Sequence, residues 1–170
     1  MTQTDWAVLK EFYGYQIRRT VHEDFKLAKE WTPVALNAEF WLRQNDALES
    51  FLVQMPDGTP LAFLQTQKIN VDQVRLHWQP SPIVSRPTIL RALTTLVPLI
   101  EKALANRDVK AIFFTSHSLT MAWFMEKNLN YLNTEHMTPD GVVLWKVLPG
   151  KDFKFTGVIG IGGNGHDRTI

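Results

Sequence analysis

The sequence predicts a mixed α/β (α+β) fold, in which a twisted sheet of six to seven strands carries one long helix and three or four shorter helices. First, stretches in which apolar residues recur at every second position alternate with stretches in which they recur at helical spacing. Second, Asp57-Gly58 and Asp140-Gly141 each separate two apolar runs, as in β-hairpins. Third, Ala111 to Phe114 form an unbroken apolar run, which is typical of a strand buried on both faces.

The first part of the chain predicts four elements. These are a helix over 4–13, a strand over 15–19, a helix over 22–30 and a helix over 38–44. The first helix forms a separate N-terminal helical extension, residues 1–14, which Gly14 ends. Thr20 and Glu23 have the spacing of a capping box, which predicts where the second helix begins. Asn37 suits the cap of the last helix.

The central part predicts six strands and two further helices. The strands cover 49–55, 61–68, 74–78, 110–116, 131–135 and 142–147, and the helices cover 87–106 and 119–128. The longer helix carries a broad apolar stripe, formed by Ile89, Leu93, Leu96, Val97, Ile100 and Leu104. It follows Pro80 and Pro82, which cannot continue a strand ladder. We expect the strands on either side of this helix to pair in parallel.

Composition excludes several classes of function. A length of 170 residues predicts one domain. The net charge is only +1, and the lysines and arginines are spread along the sequence, so no basic patch indicates a nucleic-acid surface. No apolar run approaches the roughly 18 residues of a membrane span. Residues 1–5 lack a basic region followed by an apolar stretch, so we expect no signal peptide. There is no cysteine, and the histidines lack metal-ligand spacing, so we expect no disulfide and no metal site. A cytoplasmic, reducing compartment fits this composition.

The element order over residues 15–148 resembles that of the GNAT acetyltransferase family. Residues 15–25 are similar to the family's opening strand and its turn into the first helix. Residues 85–93 are similar to the start of its central helix, where the family has Arg/Gln-x-x-Gly-x-Gly/Ala. Residues 124–131 begin Phe-Met-Glu-Lys where the family has Phe-Tyr-Glu-Lys. The resemblance implies a GNAT-like domain over 15–148 and, if the chain is an enzyme, an acyltransferase that uses acetyl-CoA.

In that family, backbone N–H groups at the start of the central helix bind the coenzyme A pyrophosphate, helped by the helix dipole. The resemblance therefore implies coenzyme contacts from the loop residues Ile83, Val84, Ser85, Arg86 and Thr88. The family's glycine positions are occupied here by Thr88 and Leu90, and Pro87 lacks an N–H group. We therefore expect acetyl-CoA to bind weakly or not at all; the alternative interpretation is that Ser85 merely begins a helix.

The family's catalytic acid is the tyrosine that protonates the departing thiolate. Met125 occupies this position here and has no proton to donate. The next tyrosine, Tyr131, is too far along the chain to replace it without a shifted alignment, and we interpret it as a core or strand-edge residue. His77 is the candidate general base, because it lies on the fourth strand and a histidine titrates near neutral pH, whereas His117 is a weaker candidate. A half-buried structural histidine is the alternative in both cases.

The final segment, residues 149–170, forms a glycine-rich C-terminal tail that holds six of the nine glycines. Its apolar residues are the candidate partner-binding residues, namely Phe153, Phe155, Val158, Ile159 and Ile161. Such a pattern suits strand addition or groove binding to a protein partner or to a second copy of the chain, with packing on its own domain as the alternative. Residues 160–165 match G-x-G-x-x-G. A dinucleotide site needs a helix after the glycines and an acidic residue about 20 positions further on, and with five residues following we do not expect one here.

Two functions remain open on the sequence. The first is a catalytically degenerate GNAT-like domain, without a cofactor, that acts as a binding or structural component of a larger assembly. This combination of features is similar to GNAT-like proteins of tailed bacteriophages, which would place the chain in a virion. The alternative is an acetyl-CoA-dependent N-acetyltransferase that acts on a small-molecule or protein amine.

Overall fold

A computed structural model describes residues 14–32, 35–139 and 141–153. Its elements follow the predicted order. They are β1 (Gln16–Arg19), a 3₁₀ turn (His22–Asp24), α1 (Phe25–Trp31), α2 (Ala35–Phe40), β2 (Leu48–Gln54), β3 (Pro60–Asn70), β4 (Gln73–Pro80), α3 (Arg86–Ala105), β5 (Ala111–Ser116), α4 (Leu119–Leu129), β6 (Leu132–Thr138) and β7 (Gly141–Val147). The helix predicted over 4–13, in the N-terminal extension of residues 1–14, lies outside the described residues.

The seven strands form one sheet in the order β1-β2-β3-β4-β5-β7-β6. Strands β4 and β5 are parallel, with Gln73–Leu76 opposite Ala111–Phe114. The pairs β1–β2, β2–β3, β5–β7 and β6–β7 are antiparallel. The predicted mixed sheet, long central helix and shorter helices are therefore confirmed. Within the described residues, no helix combines the length and the apolar character needed to cross a membrane.

The chain divides into two compact units, and the first contains described residues 14–67 and 77–96. Its helices pack on the sheet through a hydrophobic cluster. The buried members are Ala28, Ala38, Trp41, Leu52 and Phe63, with Phe25, Leu27, Trp31 and Phe40 packed against them. Trp41 stacks on Phe63 at 6.1 Å between ring centroids, and Trp31 meets the same ring edge-on at 5.3 Å. Phe63 is therefore the shared partner that orders the aromatic side chains of this unit.

The predicted capping box at Thr20 and Glu23 is wrong by one residue. The carboxylate of Asp24 accepts a 2.7 Å hydrogen bond from the Val21 N–H, while the Asp24 N–H donates to the Val21 carbonyl. Arg18, on β1, holds the same carboxylate through two 2.8 Å hydrogen bonds. Burial alone would raise the pKa of Asp24, but the hydrogen bonds from Arg18 and Val21 outweigh that effect and lower it. The arginine therefore selects Asp24 over Glu23.

Helix α2 ends at Phe40, four residues before the predicted end. The chain after it continues through tight backbone hydrogen bonds from residues 41, 42 and 43 to residues three positions earlier. Gln44 leaves the helix because its side-chain amide pairs with the backbone of Ser50, donating at 2.6 Å and accepting at 3.2 Å. The side chain predicted as the last helical residue instead anchors strand β2.

The second unit contains described residues 68–76 and 97–153. Its buried cluster of Ala111, Phe113 and Val143 is covered by Trp145 and Phe153. Helix α4 is defined at both ends. The Ser118 hydroxyl accepts from the Met121 N–H at 3.1 Å, and Asn130 ends the helix in the left-handed conformation with φ 61°.

The sequence predicts seven aromatic core residues, namely Trp31, Phe40, Trp41, Trp78, Phe113, Trp123 and Trp145. All of them except Trp123 are buried or half-buried. This tryptophan lies on α4 with 58% of its surface exposed, and Leu119, one turn earlier on the helix, is 81% exposed. Helix α4 buries Ala122, Met125 and Leu129 instead. The prediction for Trp123 was wrong because helical spacing also allows these three residues to form the inward face, and this is the face that packs.

We expect the substitution Gly141→Ala to lower the free energy of unfolding by about 2–5 kcal/mol. Gly141 has φ +111°, and a Cβ atom there would overlap the backbone carbonyl of Ser116, which cannot move without disturbing β5. Urea denaturation of the full chain measures the change. Gly58→Ala is the matched control, because Gly58 has φ +91° but open space around it, and should cost only about 1–2 kcal/mol. Equal losses in both variants would contradict the steric argument.

Candidate functional site

The loop between β4 and α3 begins at a fixed point. Ser81 is buried, with 3% of its surface exposed, and its N–H donates to the Leu61 carbonyl at 2.8 Å. The Ser81 hydroxyl in turn accepts a 3.2 Å hydrogen bond from the Ile83 N–H. Beyond this anchor the loop is open to solvent, since Ile83 is 84% exposed. The predicted coenzyme loop is therefore an exposed segment held firmly at its start.

Ser85 caps helix α3. Its hydroxyl accepts from the Thr88 N–H at 3.4 Å and shares a 2.8 Å hydrogen bond with the Thr88 hydroxyl. The Ser85 carbonyl accepts the first helical hydrogen bond, from Ile89, at 3.1 Å. The Thr88 N–H is therefore already engaged, and the neighbouring Pro87 has none. Part of the phosphate-binding capacity of this helix end is thus used by the helix itself.

Three successive donors remain. Among the residues that the structure describes, none accepts a hydrogen bond from the backbone N–H groups of Val84, Ser85 or Arg86. The Arg86 guanidinium likewise has no hydrogen bond or ion pair with a described residue. These groups stand at the N-terminus of a helix of 20 residues, where the helix dipole attracts anions. Of the five predicted coenzyme residues, Val84, Ser85 and Arg86 therefore keep free donors, whereas the N–H groups of Ile83 and Thr88 are engaged.

His77 is half-buried on β4. Its Nε2 lies 2.8 Å from the Gln67 amide oxygen, and its ring meets Phe40 edge-on at 5.0 Å between centroids. The Gln67 amide oxygen can only accept, so this contact requires a proton on Nε2. The hydrogen bond and the ring contact hold the imidazole in place, while the catalytic role of His77 stays a prediction. His117 is exposed.

Met125 and Tyr131 are both in the interior of the second unit. Met125 is 1% exposed and Tyr131 is 3% exposed. The Tyr131 hydroxyl donates to the Glu101 carboxylate at 2.9 Å. Burial, together with the neighbouring Glu101 charge and this hydrogen bond, raises the pKa of Tyr131 well above its usual value of 10.0. Of the two positions predicted for Tyr131, core or strand edge, the structure shows the core.

A buried polar network around Glu101 was not predicted from the sequence. This carboxylate, 4% exposed, accepts a 2.9 Å hydrogen bond from Lys146 in addition to the one from Tyr131. Lys146 also donates to the Leu129 carbonyl at 2.9 Å. One signal was available in the sequence: Glu101 stands between Val97 and Leu104 on the apolar stripe of α3, where a charge needs a partner. Its partners could not be identified, because they lie 30 and 45 positions away.

Two further predictions concern metals and partners. Among the described residues, no group of three or more His, Asp or Glu side chains could hold a metal ion. Of the candidate partner-binding residues, only Phe153 is described, and it packs edge-on against Trp145 with ring centroids 6.1 Å apart. Phe155, Val158, Ile159 and Ile161 lie outside the described residues, so binding of a partner by the tail stays a prediction.

The sequence matches no protein-family model, and no curated protein matches it. Solved structures do match. The spermidine N-acetyltransferase of Vibrio cholerae, in complex with CoA and spermine, shares 9% identity over 79% of this chain and 96% of its own, with a TM-score of 0.61. The N-acetyltransferase PseH of Campylobacter jejuni, in complex with acetyl coenzyme A, shares 12% identity over 78% of this chain and 98% of its own, with a TM-score of 0.59. At these identities the likeness establishes the fold, and this chain has the GNAT N-acetyltransferase fold.

The raised pKa of Tyr131 predicts a loss of stability at alkaline pH. Above about pH 10 the unfolded chain releases the tyrosine proton while the folded chain keeps it, so the free energy of unfolding falls as pH rises. At neutral pH the free energy of unfolding of Tyr131→Phe should be about 1–3 kcal/mol lower than that of the unsubstituted chain, because Glu101 loses a buried donor. Above pH 10 the free energy of unfolding of this variant should fall less steeply, because the variant lacks the titrating tyrosine.

Urea unfolding of the full chain between pH 8 and pH 11 tests this prediction, and Tyr15→Phe is the control. Tyr15 precedes β1 and is only half-buried, so its removal should leave the steep alkaline decline in place. A Tyr131→Phe variant that loses stability as steeply as the unsubstituted chain would contradict the prediction.

Proposed function

We propose that this chain is an N-acetyltransferase that takes acetyl-CoA as its acyl donor and a small-molecule or protein amine as its acceptor. One observation carries the proposal. Three successive N–H groups, from Val84 to Arg86, are free of acceptors among the described residues and begin the 20-residue helix α3. The chain has the fold of N-acetyltransferases that were crystallised with CoA or acetyl coenzyme A, and this likeness supports a CoA-type ligand at these donors.

The free N–H groups and the Arg86 guanidinium suit the two phosphates of a CoA pyrophosphate, which accept hydrogen bonds from several donors at once. The departures from the family pattern limit how tightly it binds. Side chains at Thr88 and Leu90 keep the phosphate further from the helix backbone than glycines would, and Pro87 supplies no donor. We expect modest affinity for acetyl-CoA, with Arg86 as a main contributor.

The reaction needs a neutral amine that attacks the thioester carbonyl carbon. A carbon–nitrogen bond forms, the carbon–sulfur bond breaks, and the coenzyme leaves as a thiolate. In this proposal the imidazole of His77, held in place by Gln67, removes a proton from the substrate ammonium, and the resulting neutral amine attacks. The nitrogen releases its second proton to water as the amide forms. Met125 cannot protonate the thiolate, but an alkyl thiol has a pKa of about 8.5, so water can supply the proton at neutral pH. Turnover without an acid should be slow.

A second candidate function is a catalytically degenerate domain that serves as a binding or structural component of an assembly. Two observations favour it: the acid position is held by the buried Met125, and the Thr88 N–H is already engaged by Ser85. The C-terminal tail would supply the contacts to a protein partner or to a second copy. The two candidates differ in one measurable property, the release of free CoA in the presence of an amine.

Calorimetric titration of the full chain with acetyl-CoA tests the coenzyme site. We expect saturable binding that Arg86→Ala weakens about 5–10-fold, because a charge-assisted phosphate contact is lost. Arg91→Ala is the matched control, since Arg91 is exposed on the same helix but follows its first turn. The absence of binding, or an equal loss of acetyl-CoA affinity in both variants, would contradict the proposed site.

His77→Gln should lower kcat about 100-fold or more while leaving the affinity for acetyl-CoA unchanged, because only the base is removed. Release of the free CoA thiol measures turnover, with spermidine and a panel of primary amines as acceptors. His117→Gln is the control, since His117 is exposed and should have no effect. Tight acetyl-CoA binding with no thiol release from any amine would favour the second candidate function.

A further inference from the structure

The second unit contains a cavity of about 570 Å³ that opens to solvent. Its lining residues come from the last turns of α3, the end of α4, β7 and the chain just after β7. The volume falls within the roughly 300–1,000 Å³ that small-molecule sites occupy. The coenzyme loop contributes no residue to it.

Lys146 presents a partly exposed ammonium to this cavity. Its ammonium has three N–H groups, of which Glu101 and the Leu129 carbonyl take two at 2.9 Å each. The ammonium also lies 5.5 Å from the centroid of the Tyr131 ring, and the side chain is 18% exposed where it lines the cavity. The positive charge of Lys146 is therefore accessible from the cavity, to water or to a bound anion.

The cavity also carries a net positive charge. Glu101 neutralises Lys146, whereas Lys102, on the next position of α3, is exposed and makes no ion pair with a described residue. The side-chain amides of Asn106 and Asn130 likewise have no hydrogen bond to a described residue. Together these groups supply a cation and several donors, which suits an anionic oxygen group.

The remaining walls are apolar and come from Pro98, Ala105, Leu129 and Pro149. A bare inorganic anion would leave these surfaces in contact with water. We propose that this cavity binds a small organic carboxylate, whose anionic group is recognised by Lys102 and Lys146 and whose apolar body packs against these walls. The site is distinct from the coenzyme loop and does not depend on acetyl transfer.

The ligands benzoate and benzamide separate charge recognition from apolar burial, because they share a ring and differ in the charged group. We expect benzoate to shift the backbone amides of residues lining the cavity in ¹⁵N-labelled full-length protein, with saturation. Benzamide should bind at least about fivefold more weakly, because the ion pair is lost. Inorganic phosphate should compete poorly, because it has no apolar body.

Lys102→Met should reduce benzoate binding at least about fivefold and leave benzamide binding unchanged, because only the cation is removed. Lys102 is exposed, so the fold should tolerate the change. Lys127→Met is the matched control, since Lys127 is exposed on α4 and outside the cavity. Any of four results would overturn the proposal: no saturable shifts, equal binding of benzamide and benzoate, full competition by phosphate, or an equal loss in Lys127→Met.

Discussion

The parallel pairing of β4 with β5 is the constraint on which the rest of the chain depends. Antiparallel strands can be joined by a turn of about two residues, but a parallel pair requires a crossover of about a dozen or more. Helix α3 forms that crossover, so the loop that starts it, with its free N–H groups, exists because of the parallel pair. A side-chain bond accompanies the ladder, since the buried Arg75 donates to the Thr115 hydroxyl at 2.9 Å.

Features set by neighbouring residues could be predicted, and features set by distant ones could not. The hairpin at Asp57-Gly58 and the buried run at Ala111 to Phe114 follow from local sequence, and both predictions agree with the fold. The capping residue of the first helical turn depended instead on Arg18, which reaches Asp24 from a strand. Helix periodicity also leaves the inward face ambiguous, which is why Trp123 was placed in the core.

The candidate site shows the same division. The coenzyme loop is one contiguous segment, so the residues that form it could be identified from the sequence. Which of its N–H groups are engaged could not be predicted, because that depends on side-chain orientation. The Ser85 hydroxyl, for example, is turned so that it accepts from the Thr88 N–H. The network of Glu101, Tyr131 and Lys146 joins an α-helix, a strand and the residue before another strand, so no spacing in the sequence reveals it.

The buried ion pair between Glu101 and Lys146 has a consequence for the evolution of this chain. Loss of either partner alone leaves an uncompensated charge in the interior and costs on the order of 3–5 kcal/mol, whereas replacement of both by apolar residues of similar size is often neutral. A typical domain is stable by only about 5–15 kcal/mol, so either single substitution would remove a large part of the free energy of unfolding. A chain that carries only one of the two changes would therefore be selected against. Positions 101 and 146 should therefore covary in diverging lineages, both keeping the charged pair or both losing it.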